Sequence, residues 1–311
     1  MNPKTLFKIL FTLALVGLVI VLAGPRQIVE AFRGTDPRFI LLALPLTPVV
    51  IFFKAYRWHL LARSRIPNLG FLPSFKSYMA GLTLAVITPM SAGELARGHH
   101  LDPKRGLELI GLVTVDKFLD LAAVGTYGFL GFLYLFSLPI KILSGVAIAC
   151  MTVGWLFLRP MARLFEKLLR VAPESRLGRF FATVKEVPTS LVFKCLGVAF
   201  INFAFYYFQV YLVVCAFAKH FVASSAVAFF PTITLSTIIP YAIGGLGIRE
   251  LTAELLLPKY DIRITEAMAS SAFFAHFVII MILPGLVGAL WVGRAALPSA
   301  GAGSGLNKGT P

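Results

Sequence analysis

The chain has 311 residues, of which 58% are hydrophobic and only 14% are charged. Soluble domains carry ~25% charged residues, so this composition excludes an ordinary soluble enzyme and indicates a protein whose solvent is the hydrocarbon of a bilayer. The formal net charge is +15, from 29 Lys and Arg against 14 Asp and Glu. Because the basic residues fall in the gaps between apolar segments, we attribute them to cytoplasmic loops and not to nucleic-acid binding.

Six apolar segments are long enough to cross a bilayer as helices. Each reaches about 20 residues, which at ~1.5 Å per residue covers a ~30 Å hydrocarbon core. The first could instead be a cleaved signal peptide, since Lys4 and Lys8 precede it and Gly24-Pro25 follows it. We prefer an uncleaved span because apolar segments continue throughout the chain. The predicted spans are residues 6–24, 38–54, 110–136, 139–158, 195–218 and 267–293.

Two shorter apolar segments each end in a proline and a glycine-containing turn. The segments are 77–88 and 224–239, and as helices they would cover only ~18 and ~24 Å. Both continue as Pro-x-x-x-Gly-x-Leu. Short segments interrupted by Pro and Gly in the two halves of a chain indicate a transporter's binding site, so we predict two re-entrant hairpins. Their breaks are the prolines and glycines of the two turns: Pro89, Gly93, Pro240, Gly244, Gly245 and Gly247.

The distribution of Lys and Arg predicts the orientation of these segments. A cytoplasmic N-terminus places the basic stretches 54–76 and 159–194 on the cytoplasmic side, as the positive-inside rule requires. Residues 1–136 and 138–293 then each hold three spans and one hairpin. Because three is odd, the second half is inverted relative to the first, as in many secondary transporters. If both hairpins crossed fully, the chain would have eight spans.

The predicted fold class is therefore an all-α polytopic membrane protein. It has about six spanning helices plus two re-entrant hairpins, arranged as an inverted repeat in a single transmembrane domain, 1–297. The tail 298–311 is rich in Gly, Ala and Ser, and we predict that it is disordered. The expected location is the cytoplasmic (inner) membrane, with both termini in the cytoplasm.

Ionisable residues near the two breaks are the candidate binding site, since a charge at membrane depth is costly. We predict a polar cavity where the hairpin tips meet, in which Arg97, Lys117 and Arg249 bind a lipid phosphate. The carboxylates would orient these cations or exchange protons. The alternative is that the charges only neutralise each other and hold the helices together. The predicted substrate-binding residues are Glu94, Arg97, Asp116, Lys117, Asp120, Arg249, Glu250 and Glu254.

Three polar residues lie on one face of a predicted span. Asn202, Tyr206 and Gln209 fall at i, i+4 and i+7 of an otherwise apolar helix. They either line a path for a lipid headgroup or form hydrogen bonds between helices.

No cofactor, metal or catalytic site is predicted. His99 and His100 are adjacent, so on a helix they point in different directions and do not form a metal site. The sequence also lacks a Walker A loop, the Rossmann glycine spacing and a Gly-x-Ser-x-Gly elbow.

Three segments together resemble the lysylphosphatidylglycerol synthase transmembrane-region family. The Gly-Gly-Leu-Gly-x-Arg-Glu run is the most specific of them. One departure concerns the family's usual Glu-Arg-x-x-Asp, which here is Asp116-Lys117-x-x-Asp120; Lys keeps the charge but loses the bidentate phosphate geometry of Arg. The segments are Thr88-Pro89…Gly93-Glu94-Leu95-Ala96-Arg97, Val115-Asp116-Lys117-Phe118-Leu119-Asp120-Leu121 and Pro240…Gly244-Gly245-Leu246-Gly247-Ile248-Arg249-Glu250.

The resemblance implies a flippase-like domain that translocates or binds an anionic or headgroup-modified lipid. In bifunctional synthases a separate soluble domain transfers the lysyl group, so we expect no such enzyme activity from these residues. Two alternatives stay open: a membrane-embedded enzyme or accessory subunit of glycolipid or polyprenyl-lipid synthesis, and a secondary transporter for a small solute. The expected partner is a membrane lipid and not nucleic acid, with a homo-oligomer and a lipid-biosynthesis enzyme left open.

Overall fold

The computed structural model describes residues 29, 33–88, 92–135, 160, 162–170, 172, 175–238 and 247–295, and every regular element in them is helical. Three described helices are long and apolar enough to cross a membrane: Pro37–Arg63, Thr189–Ala218 and Glu266–Val292. They match three predicted spans. The remaining spans, the inverted arrangement and the membrane depth of the hairpins stay predictions. Outside the described residues lie the spans 6–24 and 139–158, the tail 298–311, and Pro89, Pro240, Gly244 and Gly245.

The first described span is longer than predicted. It consists of α1 (Pro37–Ala43) and α2 (Leu46–Arg63), which are separated at Pro45. The sequence places Arg57 in a cytoplasmic loop that begins at residue 54. The helix instead continues through Arg57 because apolar residues return immediately after it, beginning with the fully buried Trp58.

Hairpin 1 follows, and its chain direction reverses after Thr88. Thr88 has extended backbone, and its hydroxyl accepts a hydrogen bond from Gly93 N at 2.7 Å. In the returning segment of the hairpin, Arg97 O accepts a hydrogen bond from Ser77 Oγ at 2.7 Å. Gly93 lies so close to the backbone of Leu84 that no Cβ fits there. The hairpin comprises α3 (Phe71–Ile87), a 3₁₀ helix (Ala92–Leu95) and α4 (Ala96–Leu101).

The middle of the chain contains two 30-residue helices and two shorter ones. Asp102 caps a 3₁₀ turn at Pro103–Arg105, which leads into the first long helix. Ser175 caps the second of the short helices by accepting a hydrogen bond from Gly178 N. The helices are α5 (Gly106–Leu135), α6 (162–168), α7 (Arg176–Glu186) and α8 (Thr189–Ala218).

Hairpin 2 is also antiparallel. Its first helix starts beside the end of its last helix, where Ser225 Oγ donates to Tyr260 O at 2.9 Å. Pro231 starts a new helical segment, so the predicted continuous helix over 224–239 is divided. Gly247 is the N-cap residue before the returning helix, and its φ of +83° suits glycine. The hairpin comprises α9 (Ser224–Val227), α10 (Phe230–Leu235), a 3₁₀ helix (Ser236–Ile238) and α11 (Ile248–Tyr260).

The last span contains a π-helical segment. It comprises α12 (Glu266–Phe277), the π segment (Val278–Ile282) and α13 (Leu283–Ala295). Helix α13 packs along α3 of hairpin 1, where Thr83 Oγ1 donates to Gly285 O at 2.7 Å. Gly288 lies against Met79 O without room for a Cβ, which permits this close approach.

Helix α5 contacts both hairpins, hairpin 1 near its start and hairpin 2 near its end. A Cβ added at Gly98 of hairpin 1 would lie 3.0 Å from the backbone of Leu109. At the other end, Gly131 faces the backbone of Ala228 and Gly128 faces Pro231. The middle of α5 therefore lies between the two hairpins.

Candidate functional site

A cavity of about 630 Å³ lies between the two hairpins. Its walls come from both hairpins, the middle of α5, helices α2 and α8, and the π segment. Most lining residues are apolar, and five carry charge. The charged residues are Lys54, Glu94, Lys117, Asp120 and Arg249.

Asp116, on α5, binds two arginines from different elements. Its Oδ1 accepts from Arg57 Nε of α2 at 2.5 Å, and its Oδ2 accepts from Arg97 Nη2 of hairpin 1 at 2.6 Å. Both arginines are 1% exposed and Asp116 is 2% exposed. One buried carboxylate thus ties α2, α5 and hairpin 1 together.

Three further residues extend this cluster towards the cavity. Asp120, one turn after Asp116, accepts from Arg57 Nη2 at 2.6 Å. Glu94 binds Lys117 Nζ at 2.6 Å and lies 3.7 Å from Arg97 Nη1. The resulting ion-pair network has three cations and three carboxylates: Arg57, Arg97, Lys117, Glu94, Asp116 and Asp120. Its formal charges balance, with three positive and three negative side chains.

An aromatic environment also supports the network. The guanidinium of Arg97 lies over the Trp58 ring at 4.6 Å and near the Tyr78 ring at 5.8 Å. Cation–π attraction strengthens when the cation is withdrawn from water. Hairpin 1 therefore stacks on α2 through Arg97 and Trp58, in addition to its ion pairs with α5.

Sequence reasoning missed two site residues, Lys54 and Arg57. Arg57 follows Lys54 after a predicted span, so a hydropathy profile assigns both to a loop. The signal that could have found Arg57 is the largely apolar segment after it, Trp58 to Ala62, in which His59 is the one ionisable residue and the chain stays helical. An arginine between two apolar runs needs a carboxylate partner, and Asp116 and Asp120 supply two.

Hairpin 2 presents a different charged pair. Arg249 Nη2 binds Glu250 Oε1 at 2.7 Å, and Glu250 Oε2 accepts from Gly247 N at 2.7 Å, so Glu250 caps its own helix. Arg249 lies 5.0 Å from the Phe277 ring and is 3% exposed. Its Nε has no hydrogen-bond partner among the described residues. Glu254, one turn further, is partly buried and does not line the cavity.

The cavity surface therefore carries more unpaired positive than negative charge. Glu94 and Asp120 are both engaged by cations of the ion-pair network. In the described part of the chain Lys54 forms no direct ion pair, although Glu94 attracts it electrostatically; its Nζ lies 5.8 Å from the Phe203 ring. Among the described residues Arg249 pairs with one carboxylate, that of Glu250, which also caps a helix. An anion entering the cavity would meet Lys54 and Arg249.

The three polar residues of α8 divide between two roles. Asn202 Nδ2 donates to Val50 O at 2.8 Å, and Gln209 Nε2 donates to Ala43 O at 2.9 Å, so these two join α8 to α2 and α1. Tyr206 lines the cavity, and its ring meets His276 edge-on with centroids 4.9 Å apart. Of these three residues, Tyr206 is the one that lines the cavity and could contact a ligand there.

Comparison with known proteins agrees with the multi-pass architecture. No curated protein matches the chain. A family model described as "Lysylphosphatidylglycerol synthase TM region" matches residues 6–289, a range that includes both hairpins and every charged residue of the cavity. This match and the long apolar helices identify a membrane protein with a lipid-related function. The chain belongs to the lysylphosphatidylglycerol synthase TM region family.

Proposed function

We propose that this protein binds an anionic or headgroup-modified membrane lipid in the cavity and moves it between the leaflets of the cytoplasmic membrane. The observation that carries the proposal is a cavity of about 630 Å³ with apolar walls and two incompletely neutralised cations, Lys54 and Arg249. This volume lies within the range of ~300–1,000 Å³ typical of ligand sites. The family match supports a lipid as the ligand.

The chemistry of the walls suits an amphipathic molecule. Val50, Leu82 and Ile280 give the cavity apolar surface on three sides, from α2, hairpin 1 and the π segment. Arg249 offers a buried Nε–H with no partner among the described residues, a donor that a phosphate oxygen would satisfy. A headgroup at Arg249 would leave the acyl chains against apolar side chains.

The two hairpins are held differently, which suggests the moving part. Hairpin 1 is fixed to α5 by ion pairs of Arg97 and Glu94. The ion pair of hairpin 2 joins neighbouring residues of a single helix, Arg249 and Glu250. In our proposal hairpin 2 moves against the fixed hairpin 1, within a six-span inverted repeat whose termini both lie in the cytoplasm.

The alternative functions gain less support. An embedded enzyme would use Glu94, Asp116 and Asp120 as acid–base or metal groups, yet each is engaged by an arginine or lysine. The described residues contain no group of three or more His, Cys, Asp or Glu that could hold a metal. A small polar solute could bind the charged residues of the cavity but would leave its apolar walls without a partner.

Reconstituted vesicles test the proposal. Fluorescent phosphatidylglycerol and phosphatidylcholine are incorporated, and an impermeant reductant bleaches the probe as it appears in the outer leaflet. With the wild-type protein we expect the anionic phosphatidylglycerol to move between the leaflets faster than phosphatidylcholine does. Arg249→Gln should lower that rate ~10–100-fold. This factor corresponds to the free energy of one hydrogen bond to a charged group. Lys259→Gln, an exposed cation on the same helix, is the matched control and should leave the rate unchanged.

Two results would contradict the proposal. One is a wild-type rate in folded Arg249→Gln protein, which would remove Arg249 from the binding site. The other is a wild-type protein that moves neither lipid faster than protein-free vesicles do. Each variant is checked for folding by size-exclusion chromatography.

A further inference from the structure

Helix α6 lies at the edge of the bundle and touches it along one side only. Ala162 is 6% exposed, and Glu166 binds Lys185 of α7 at 2.6 Å. The backbone stays helical to its end, where Leu169 N donates to Phe165 O at 2.9 Å. Most of the remaining α6 surface is uncovered.

The uncovered surface of α6 has two distinct sectors. At about 100° per residue, four apolar side chains cover an arc of about 140°. Next to them, Arg163 and Lys167 are exposed and lie within about 40° of each other. A helix with a basic polar face and a Leu/Phe face is typical of segments that lie in a membrane interface. The apolar residues are Leu164 (62% exposed), Phe165 (44%), Leu168 (71%) and Leu169 (57%).

The position of α6 in the fold agrees with an interface. Helix α7, which holds α6, packs on the beginning of α5, where Phe180 O approaches Gly111. Exposed charges gather at this end of the bundle, for example the pair between Arg65 and Glu186 at 2.9 Å. Such charges require water, so this end lies at the level where hydrocarbon gives way to headgroups.

We propose that α6 is a surface anchor for anionic lipid. Its apolar sector inserts between acyl chains just below the headgroups, and Arg163 and Lys167 bind the phosphates of anionic lipids beside it. The partner is assigned from charge complementarity. The two cations lie beside the apolar sector, and an anionic lipid can bind the cations with its headgroup and the apolar sector with its acyl chains. Through Glu166 and Lys185 the anchor is fixed to α7 and so to α5.

This site is separate from the cavity, and its test does not depend on transport. Leu168→Cys and Lys167→Cys are each labelled with the same fluorophore in full-length protein whose three native cysteines are replaced by alanine. The labelled proteins are placed in nanodiscs containing brominated phosphatidylglycerol or brominated phosphatidylcholine, which quench on contact. Size-exclusion chromatography confirms that each variant is folded.

We expect strong quenching at position 168 with a preference for phosphatidylglycerol, and weak quenching at position 167. Adding Arg163→Gln should lower the preference at position 168 about fivefold, the contribution of one basic residue near an anionic surface. Equal quenching by both lipids would overturn the assignment of an anionic partner. Absence of quenching at position 168 by either lipid would overturn the anchor itself.

Discussion

The substitution Asp116→Asn tests whether the ion-pair network holds the bundle together. Asparagine keeps the shape of the side chain but removes the charge that two buried arginines share. Arg57 would retain Asp120 at 2.6 Å, and Arg97 would retain Glu94 at 3.7 Å. Both guanidinium groups would then lie in the protein interior with too little negative charge around them.

The expected loss of unfolding free energy in Asp116→Asn follows from the burial of its ion pairs. Breaking a buried ion pair costs ~3–5 kcal/mol, and the remaining carboxylates place this variant near the lower end, at about 3 kcal/mol. The control is Asp120→Asn, because Asp120 is 16% exposed and, among the described residues, pairs only with Arg57, which keeps Asp116. Losing that one charged hydrogen bond should cost about 1.5 kcal/mol.

Equilibrium unfolding in mixed micelles, followed by tryptophan fluorescence, measures both free energies. The double variant Asp116→Asn with Arg97→Gln should recover part of the loss, since it also removes an unbalanced cation. If Asp116→Asn lost no more stability than Asp120→Asn, the network would not have the strength that we assign to it.

Two further predictions concern the hairpins. Gly93→Ala places a Cβ against the backbone of Leu84 and should lower the melting temperature and the yield of folded protein. The control is Gly197→Ala, which lies at an open helical position and should be neutral or stabilising. Equal effects of the two substitutions would contradict the close packing of hairpin 1. At the base of hairpin 2, hydrogen bonds from the Arg263 side chain hold the pKa of Asp261 below its usual value. Because the folded-state pKa is depressed, this stabilisation is present above the unfolded-state pKa of ~3.9 and is lost as pH falls. Asp261→Asn should therefore lower the melting temperature at pH ~7, and the difference from wild type should shrink below pH ~4; a constant difference would argue against the carboxylate.

The sequence predicted the kind of element well and its limits less well. The stop near Thr88 was foreseeable because Pro89 follows and helices usually end before such a residue. The start of α3 was not, since Lys76 interrupts the apolar run while the helix itself begins at Phe71. A hydropathy profile records composition, whereas a helix continues for as long as its backbone hydrogen bonds do.

The sequence indicated some of the contacts between charged residues but not all of their partners. The four-residue spacing of Asp116 and Asp120 correctly indicated a shared face, and both bind Arg57. The arginine itself came from a different helix, and no local pattern links residues that far apart. Glu250 lies four residues before Glu254, a spacing that places both on one helix face, but the carboxylate of Glu250 turns back to cap α11.

Photocrosslinking with an anionic phospholipid whose headgroup carries a diazirine tests most directly whether the cavity holds a headgroup. After irradiation in nanodiscs, mass spectrometry of the digested protein locates the modified peptides. Our account predicts labelling near Thr114 in the middle of α5 and near Thr237 of hairpin 2, reduced by excess unlabelled anionic lipid. Labelling confined to the bundle's outer surface, such as the exposed Phe193 and Phe208 of α8, would contradict it.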